Sequence, residues 1–196
     1  MVVLCEEITL HPQAKDLLFK HYRTLTKIFN DVLGHLEIDY IGIALLNSKN
    51  ELLFLSSRPS IECNLIEKDL WRLDKSLRQE FFSRGIAQLW DSLYQEEWQK
   101  SLYYYKKENQ NFSIGISVPA TFEEYQVVYS FALKSNNEFI KNKIIQKIET
   151  LMSMGRFCLQ NIIKTITLPD RQQMPNIPKP TLKLIINKKV LCEEAT

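Results

Sequence analysis

The stretch DYIGIALLNSKNELLFLS, residues 39–56, decides the fold of this chain. Its two halves, Tyr40–Leu46 and Leu52–Leu55, are rich in residues that favour β-strands. Between them, Asn47–Asn50 is a cluster of turn-forming residues. Two apolar runs joined by so short a turn predict an antiparallel hairpin.

A second hairpin follows the same pattern further along the chain. Apolar residues alternate through Ser113–Val118, a turn begins at Pro119, and Gln126–Leu133 returns as the partner strand. The short apolar run Ile86–Trp90 adds an edge strand. We therefore predict a five-stranded antiparallel sheet.

Helices are predicted in the gaps between these strands. Helical spacing of apolar residues indicates one helix between Pro12 and Gly34, one over Ile66–Phe81, one beginning at Asp91 or Ser92, and a long last helix over Asn136–Lys164. Lys106–Asn111 is predicted as a polar loop. The order α, β, β, α, short β, α, β, β, α predicts an α/β/α sandwich, the layout of GAF-like and PAS-like sensor folds.

Composition divides the chain into four parts. We expect residues 1–14 to form an N-terminal arm and residues 15–165 to form the domain. Four of the seven prolines fall within residues 166–181, which favours an extended linker. Residues 182–196 form a tail, in which Leu182–Leu191 has the pattern of one strand or one helical turn.

Charge and cysteine usage exclude several classes of protein. The net charge of +2 is too small for a chain that binds nucleic acid or anionic membrane as a whole, and no apolar run is long enough to span a membrane. The four cysteines are far apart and form no CxxC pair, so we expect free thiols, a cytoplasmic protein and no metal or other cofactor.

Motifs of catalysis are not found. The sequence has no GxGxxG, no phosphate-binding lysine loop and no GxSxG, and its three histidines lie in or near the first helix. We therefore do not expect an enzyme. Asp74 stands out instead, because it borders the apolar stripe of the second predicted helix, where a carboxylate needs partners. A polar group at the edge of an apolar cavity is typical of a ligand pocket.

Four short motifs resemble the autoinducer-binding domain of LuxR-type transcription regulators. They are LWRLDKSL (Leu70–Leu77), LWDSL (Leu89–Leu93), FSIGISVP (Phe112–Pro119) and YSFAL (Tyr129–Leu133). The resemblance covers roughly residues 15–165. It implies an α/β/α sandwich that binds an acyl-homoserine lactone between the sheet and a helical layer, and it implies dimerisation through a long helix.

The resemblance also assigns roles to single residues. Asp74 matches the aspartate that accepts a hydrogen bond from the amide N–H of the ligand, and Trp90 matches the tryptophan that packs on the lactone ring. Ile61 and Leu65 stand where the family has a tryptophan and a tyrosine that contact the ligand. The remaining predicted lining residues are Tyr40, Phe54, Trp71, Ser117 and Ser130.

These departures leave several functions open. The first is a sensor for a small apolar or acyl signal molecule, with a pocket that disfavours lactones because their oxygens would lose partners. The second is a non-sensing interaction module without a DNA-binding domain, which pairs with another regulator and modulates it. A sensor of an unrelated ligand is the third, and an enzyme the fourth. For the chain in general we expect a homodimer, or a heterodimer with a related regulator. No helix-turn-helix is visible in the sequence, so we expect no direct binding of nucleic acid by this chain.

Overall fold

The structure, a computed structural model, describes residues 7–169. It contains six strands, β1 (Thr9–Leu10), β2 (Tyr40–Leu46), β3 (Glu51–Ser56), β4 (Gln88–Leu89), β5 (Ile114–Phe122) and β6 (Tyr125–Leu133). They form one sheet in the order β1-β3-β2-β6-β5-β4. All neighbouring pairs are antiparallel except β1 and β3, which are parallel.

Eight α-helices surround this sheet. They are α1 (Ala14–Lys20), α2 (Tyr22–Asn30), α3 (Pro59–Glu67), α4 (Gln79–Arg84), α5 (Trp90–Leu93), α6 (Lys100–Lys106), α7 (Glu138–Gln146) and α8 (Ile148–Thr165). Short 3-10 turns lie at His35–Glu37, Leu70–Leu73, Lys75–Leu77 and Glu97–Gln99. No helix within residues 7–169 is long and apolar enough to cross a membrane.

The sheet separates two apolar cores, as an α/β/α sandwich requires. On one face, side chains such as Ile43 and Phe131 pack with α2 and α8. On the other face, Tyr40 and Phe54 pack with the short helices between β3 and β5. The alternation of side chains along each strand produces this division, and the predicted sandwich is confirmed.

The five predicted strands are present, but the turn predicted from Pro119 is strand as far as Phe122, and Trp90, predicted in the edge strand, begins α5. The sheet needs two further corrections. Its strand count is six rather than five, because Thr9–Leu10 pairs with Glu51 and Leu52 at the far edge. The sheet is also not wholly antiparallel. A strand of two residues has no alternation to detect, which is why the sequence gives no sign of it.

The helix predictions were wrong in detail. The first helix is divided at His21, and the last is divided at Lys147 and capped by Asn137 rather than Asn136. Instead of one helix over Ile66–Phe81, the chain has the end of α3, two 3-10 turns and α4. Asp69 has φ +53°, in the left-handed region that ends a right-handed helix.

One correction matters for function. Lys106 was predicted in a polar loop, but it is the last residue of α6, and it is buried. The predicted arm and linker lie partly outside the described residues, as does the whole tail 182–196.

Gly155 lets α8 lie close to the sheet. A Cβ at this position would overlap the ring of Tyr129 in β6, so only glycine permits the observed approach. The helix is continuous through this residue, which means that Gly155 serves close packing rather than a kink.

Candidate functional site

The predicted pocket region lies between the sheet and helices α3 and α6. Its remaining cavity is about 20 Å³ and is lined by residues of β2, β3 and β6 on one side and of α3, α6 and the 3-10 turns on the other. A ligand pocket for a drug-sized molecule has about 300–1,000 Å³. The site is therefore almost completely filled by the side chains of the chain itself.

Asp74 is at the centre of this filled region and is only 7% exposed. It lies between the two 3-10 turns in extended conformation and caps the second one, because its Oδ1 accepts from the backbone N–H of Ser76 at 2.9 Å. The Ser76 hydroxyl donates to the same oxygen at 2.6 Å, and the Tyr94 hydroxyl donates to it at 2.8 Å.

Lys106 supplies the fourth partner of Asp74. Its ammonium, on a residue only 3% exposed, lies 3.0 Å from Asp74 Oδ2 and 2.9 Å from the Tyr94 hydroxyl oxygen. It also lies 4.4 Å from the centroid of the Trp90 ring, a cation–π contact. An ammonium has three N–H donors and no acceptor. The carboxylate and the phenol oxygen accept its hydrogen bonds, and the aromatic face attracts its positive charge.

The electrostatics of the pair follow from this geometry. Burial alone would raise the pKa of Asp74, but Lys106 and the hydrogen bonds from Ser76 and Tyr94 outweigh burial and hold the pKa below its ordinary value. Burial and the neighbouring Asp74 carboxylate raise the pKa of Tyr94 well above its ordinary value. Asp74 is thus ionised and Tyr94 neutral at physiological pH.

A second buried carboxyl group, Glu62, lines the same cavity. The Tyr40 hydroxyl donates to Glu62 Oε1, while Oε2 is buried and has no hydrogen-bond partner. Burial, opposed in part by hydrogen bonds from Ser56 and Tyr40, raises the pKa of Glu62 to about 7. Burial and the charge of Glu62 raise the pKa of Tyr40 well above its ordinary value.

The predicted site residues fall into two groups. Five of them line the cavity, namely Tyr40, Phe54, Leu65, Asp74 and Ser130. The other four, Ile61, Trp71, Trp90 and Ser117, are buried beside it without lining it. Trp90 donates from Nε1 to the Ser117 hydroxyl at 3.1 Å, and the Ser117 and Ser130 oxygens lie 3.5 Å apart.

Sequence reasoning missed Glu62 and Lys106 as members of this site. Both have charged side chains, which usually lie in solvent, and neither occurs in a motif. One signal was available for Glu62, because Ile61 and Leu65 place it on the apolar side of a short helix. No comparable signal marks Lys106.

Within residues 7–169, no group of three His, Cys, Asp or Glu side chains is arranged to hold a metal ion. Cys63 and Cys158 are free thiols.

Comparison with known proteins gives a consistent result at the level of structure. No family model matches the sequence, and no curated protein matches it significantly. Solved structures do match. The crystal structure of Escherichia coli SdiA superposes with a TM-score of 0.57 at 14% identity, over 83% of this chain and 73% of that one.

Two further structures agree with it. SdiA in complex with octanoyl-rac-glycerol gives a TM-score of 0.54 at 16% identity, over 76% of this chain and 65% of that one. The third structure is CepR2 from Burkholderia cenocepacia, described as an N-acylhomoserine lactone dependent LuxR family transcription factor. It gives a TM-score of 0.54 at 9% identity, over 78% of this chain and 99% of that one. The resemblance in the sequence is therefore confirmed in the structure: this chain has the fold of the autoinducer-binding domain of LuxR-family regulators.

Proposed function

We propose that this chain is a regulatory domain of the signal-sensing type whose ligand position is occupied by its own Lys106. It keeps its fold without a small molecule and acts by contacting another regulator. The observation that carries this proposal is the buried contact between the Lys106 ammonium and Asp74.

The hydrogen-bonding capacity of Asp74 supports this view. A carboxylate offers about four acceptor sites, and Asp74 receives four donors from the chain: the Ser76 N–H, the Ser76 hydroxyl, the Tyr94 hydroxyl and the Lys106 ammonium. The amide N–H of an acyl-homoserine lactone would address this same carboxylate, according to the resemblance. Three of these donors converge on Oδ1 and Lys106 takes Oδ2, so the amide would have to compete with the Lys106 ammonium for Oδ2.

The small volume of the cavity and the buried charge of Asp74 also disfavour a ligand. A cavity of about 20 Å³ has room for about one water molecule. A ligand would first have to displace the Lys106 side chain, and Asp74 would then be a buried charge without a cation. Removing one partner of a buried ion pair costs about 3–5 kcal/mol, which a ligand would have to offset.

Ile61 and Leu65 remove two further ligand contacts. Where the resemblance implies an indole N–H and a phenol O–H, these two positions provide only buried aliphatic groups. The oxygens of a lactone would lose partners at both points, at about 1–3 kcal/mol for each unsatisfied group.

A second candidate is a sensor for a small acyl compound. Two observations favour it: a protein of the same fold, SdiA, has been solved in complex with octanoyl-rac-glycerol, and Glu62 Oε2 is a buried acceptor without a partner beside the cavity. A hydroxyl group of such a ligand would donate to Glu62 while the acyl chain took the place of the Lys106 stem.

The experiment that separates the two is a ligand titration of thermal stability. We expect 1-octanoyl-rac-glycerol and N-octanoyl homoserine lactone to give the wild-type domain no saturable rise in thermal midpoint. The variant Lys106→Ala frees Asp74 and enlarges the cavity, so we expect one or both compounds to stabilise it. The neighbouring Lys107→Ala is the matched control, because Lys107 pairs with the half-exposed Asp91 away from the cavity. Saturable stabilisation of the wild type by the glyceride would instead establish the second candidate.

The cellular setting is part of the same proposal. Cys63 and Cys158 are free thiols, which fits a reducing compartment. We therefore place the domain in the cytoplasm, as a regulatory and not a catalytic protein.

A further inference from the structure

A groove of about 380 Å³ lies beside β5, and it shares no lining residue with the Lys106 cavity. One wall is α4, through Phe82, and the other is α8, through Met152 and Arg156. Its floor is the strand segment Pro119–Thr121. The groove therefore combines apolar side chains with the backbone of a strand.

That strand edge has no partner among residues 7–169. On its outer side β5 pairs with β4 only at Ile116 and Ser117, while Pro119–Phe122 pairs with β6 on the inner side alone. Pro119 has no N–H, so the outward groups of this edge are the carbonyl oxygens of Pro119 and Thr121 and the N–H of Thr121. An unpaired edge of this kind is a template for another strand. Proteins recognise extended segments at such edges by adding them to the sheet.

The described chain ends next to this edge. After α8, Ile166 and Leu168 are buried in the core that also contains side chains of α2 and α8. The Tyr125 hydroxyl donates to the Pro169 carbonyl oxygen at 3.2 Å, and Tyr125 is the register partner of Phe122, the last residue of β5. The continuation of the chain thus begins at one end of the groove.

We propose that the segment Leu182–Leu191 of this chain binds in the groove as an added strand on β5. The twelve residues 170–181 lie between it and Pro169, and they can span up to about 40 Å. The free edge Pro119–Phe122 measures only about 13 Å. The segment can therefore reach the edge in either direction.

The sequence of this segment suits the groove. Leu182, Leu184 and Ile186 would share one face of a strand, since alternate side chains point the same way. This apolar face matches Phe82 and Met152 in the groove walls. Residues 170–181 are polar and interrupted by prolines, which makes them a connection rather than the docking segment.

This inference goes beyond the proposed function and does not depend on it. No residue of the groove belongs to the Lys106 site, so the docking proposal and the proposed function can be tested and refuted separately.

Hydrogen exchange of the full chain tests the docking. The amide of Thr121 reports the outer edge, because successive residues of an antiparallel strand bond alternately to either side and Ala120 and Phe122 bond to β6. We expect this amide to exchange about ten-fold faster in Leu184→Lys than in the wild type, because the apolar face is lost and the edge opens. Ile185→Lys is the matched control: it makes the same chemical change on the opposite face and should leave the exchange rates unchanged. Both substitutions lie outside residues 7–169, and a retained cooperative thermal transition checks that the domain is still folded.

Three results would overturn the proposal. Equal exchange in the wild type and Leu184→Lys would mean that the segment does not cover the edge. Equal loss of protection in Leu184→Lys and Ile185→Lys would exclude a strand with one face in the groove. Protection that disappears on dilution of the wild type would show that a second copy, and not the same chain, covers the edge.

Discussion

Removing the charge of Lys106 should destabilise the domain strongly. In Lys106→Met the stem volume is nearly preserved, but Asp74 loses the ammonium 3.0 Å away and remains buried at 7% exposure. Breaking a buried pair on one side costs about 3–5 kcal/mol. For a domain of this size, that corresponds to a fall in thermal midpoint of about 6–20 °C.

The double variant Asp74→Asn/Lys106→Met removes both charges and should regain most of this loss. The introduced asparagine would keep an acceptor oxygen for Ser76 and Tyr94, and no unpaired charge would remain. Chemical denaturation of the wild type, both single variants and the double variant gives the coupling energy, which we expect to be about 2–3 kcal/mol. Lys107→Met is the control, because the half-exposed Asp91 should make its pair worth less than about 1 kcal/mol.

The reasoning fails if Lys106→Met loses less than about 1 kcal/mol, the value of an exposed pair. It fails equally if the double variant is as unstable as the single one. In that case the packing of the lysine stem, and not its charge on Asp74, would hold the site together.

Three other predictions concern Glu62, Gly115 and the exposed surface of α7 and α8. The pKa of Glu62 is raised to about 7 in the folded protein from an ordinary value of 4.5, so folding favours its protonated form. The free energy of unfolding should therefore fall by up to about 3 kcal/mol as the pH rises from 5 to 8. In denaturant titrations, Glu62→Gln should flatten this pH profile. Gly115→Ala should cost about 1–3 kcal/mol in the same assay, because a Cβ there would overlap the Trp90 indole. We also expect a dimer through α7 and α8, where Phe139 is 73% exposed and Phe157 is 45% exposed. Light scattering should give the mass of a dimer for the wild type and of a monomer for the double variant Phe139→Ser/Phe157→Ser. A monomeric wild type at micromolar concentrations would contradict this prediction.

Much of the sheet was predictable because alternation is a local signal. The predicted bounds of β2 agree with the structure residue for residue, since its neighbours Asp39 and Asn47 end the apolar run. The helical layer was less predictable. The stripe from Ile66 to Phe81 has helical spacing, yet the chain forms two 3-10 turns there. A 3-10 turn repeats every three residues, so apolar residues spaced by three or four do not distinguish it from an α-helix.

The site was predictable only in part, for a related reason. Asp74 borders an apolar stripe, so its burial could be inferred from its neighbours along the chain. Its main partner, Lys106, is 32 residues away, and the sequence gives a lysine no reason to be buried. Only the packing of α6 against the 3-10 turn Leu70–Leu73, which Asp74 follows directly, brings this ammonium to the carboxylate.

The most direct test of the central claim is a crystal structure of the protein crystallised with excess 1-octanoyl-rac-glycerol. We predict that the Lys106 ammonium lies within about 3.2 Å of an Asp74 carboxylate oxygen, with continuous side-chain density and no acyl chain between the sheet and α6. An elongated density in that space, with the Lys106 side chain turned away from Asp74, would contradict the account.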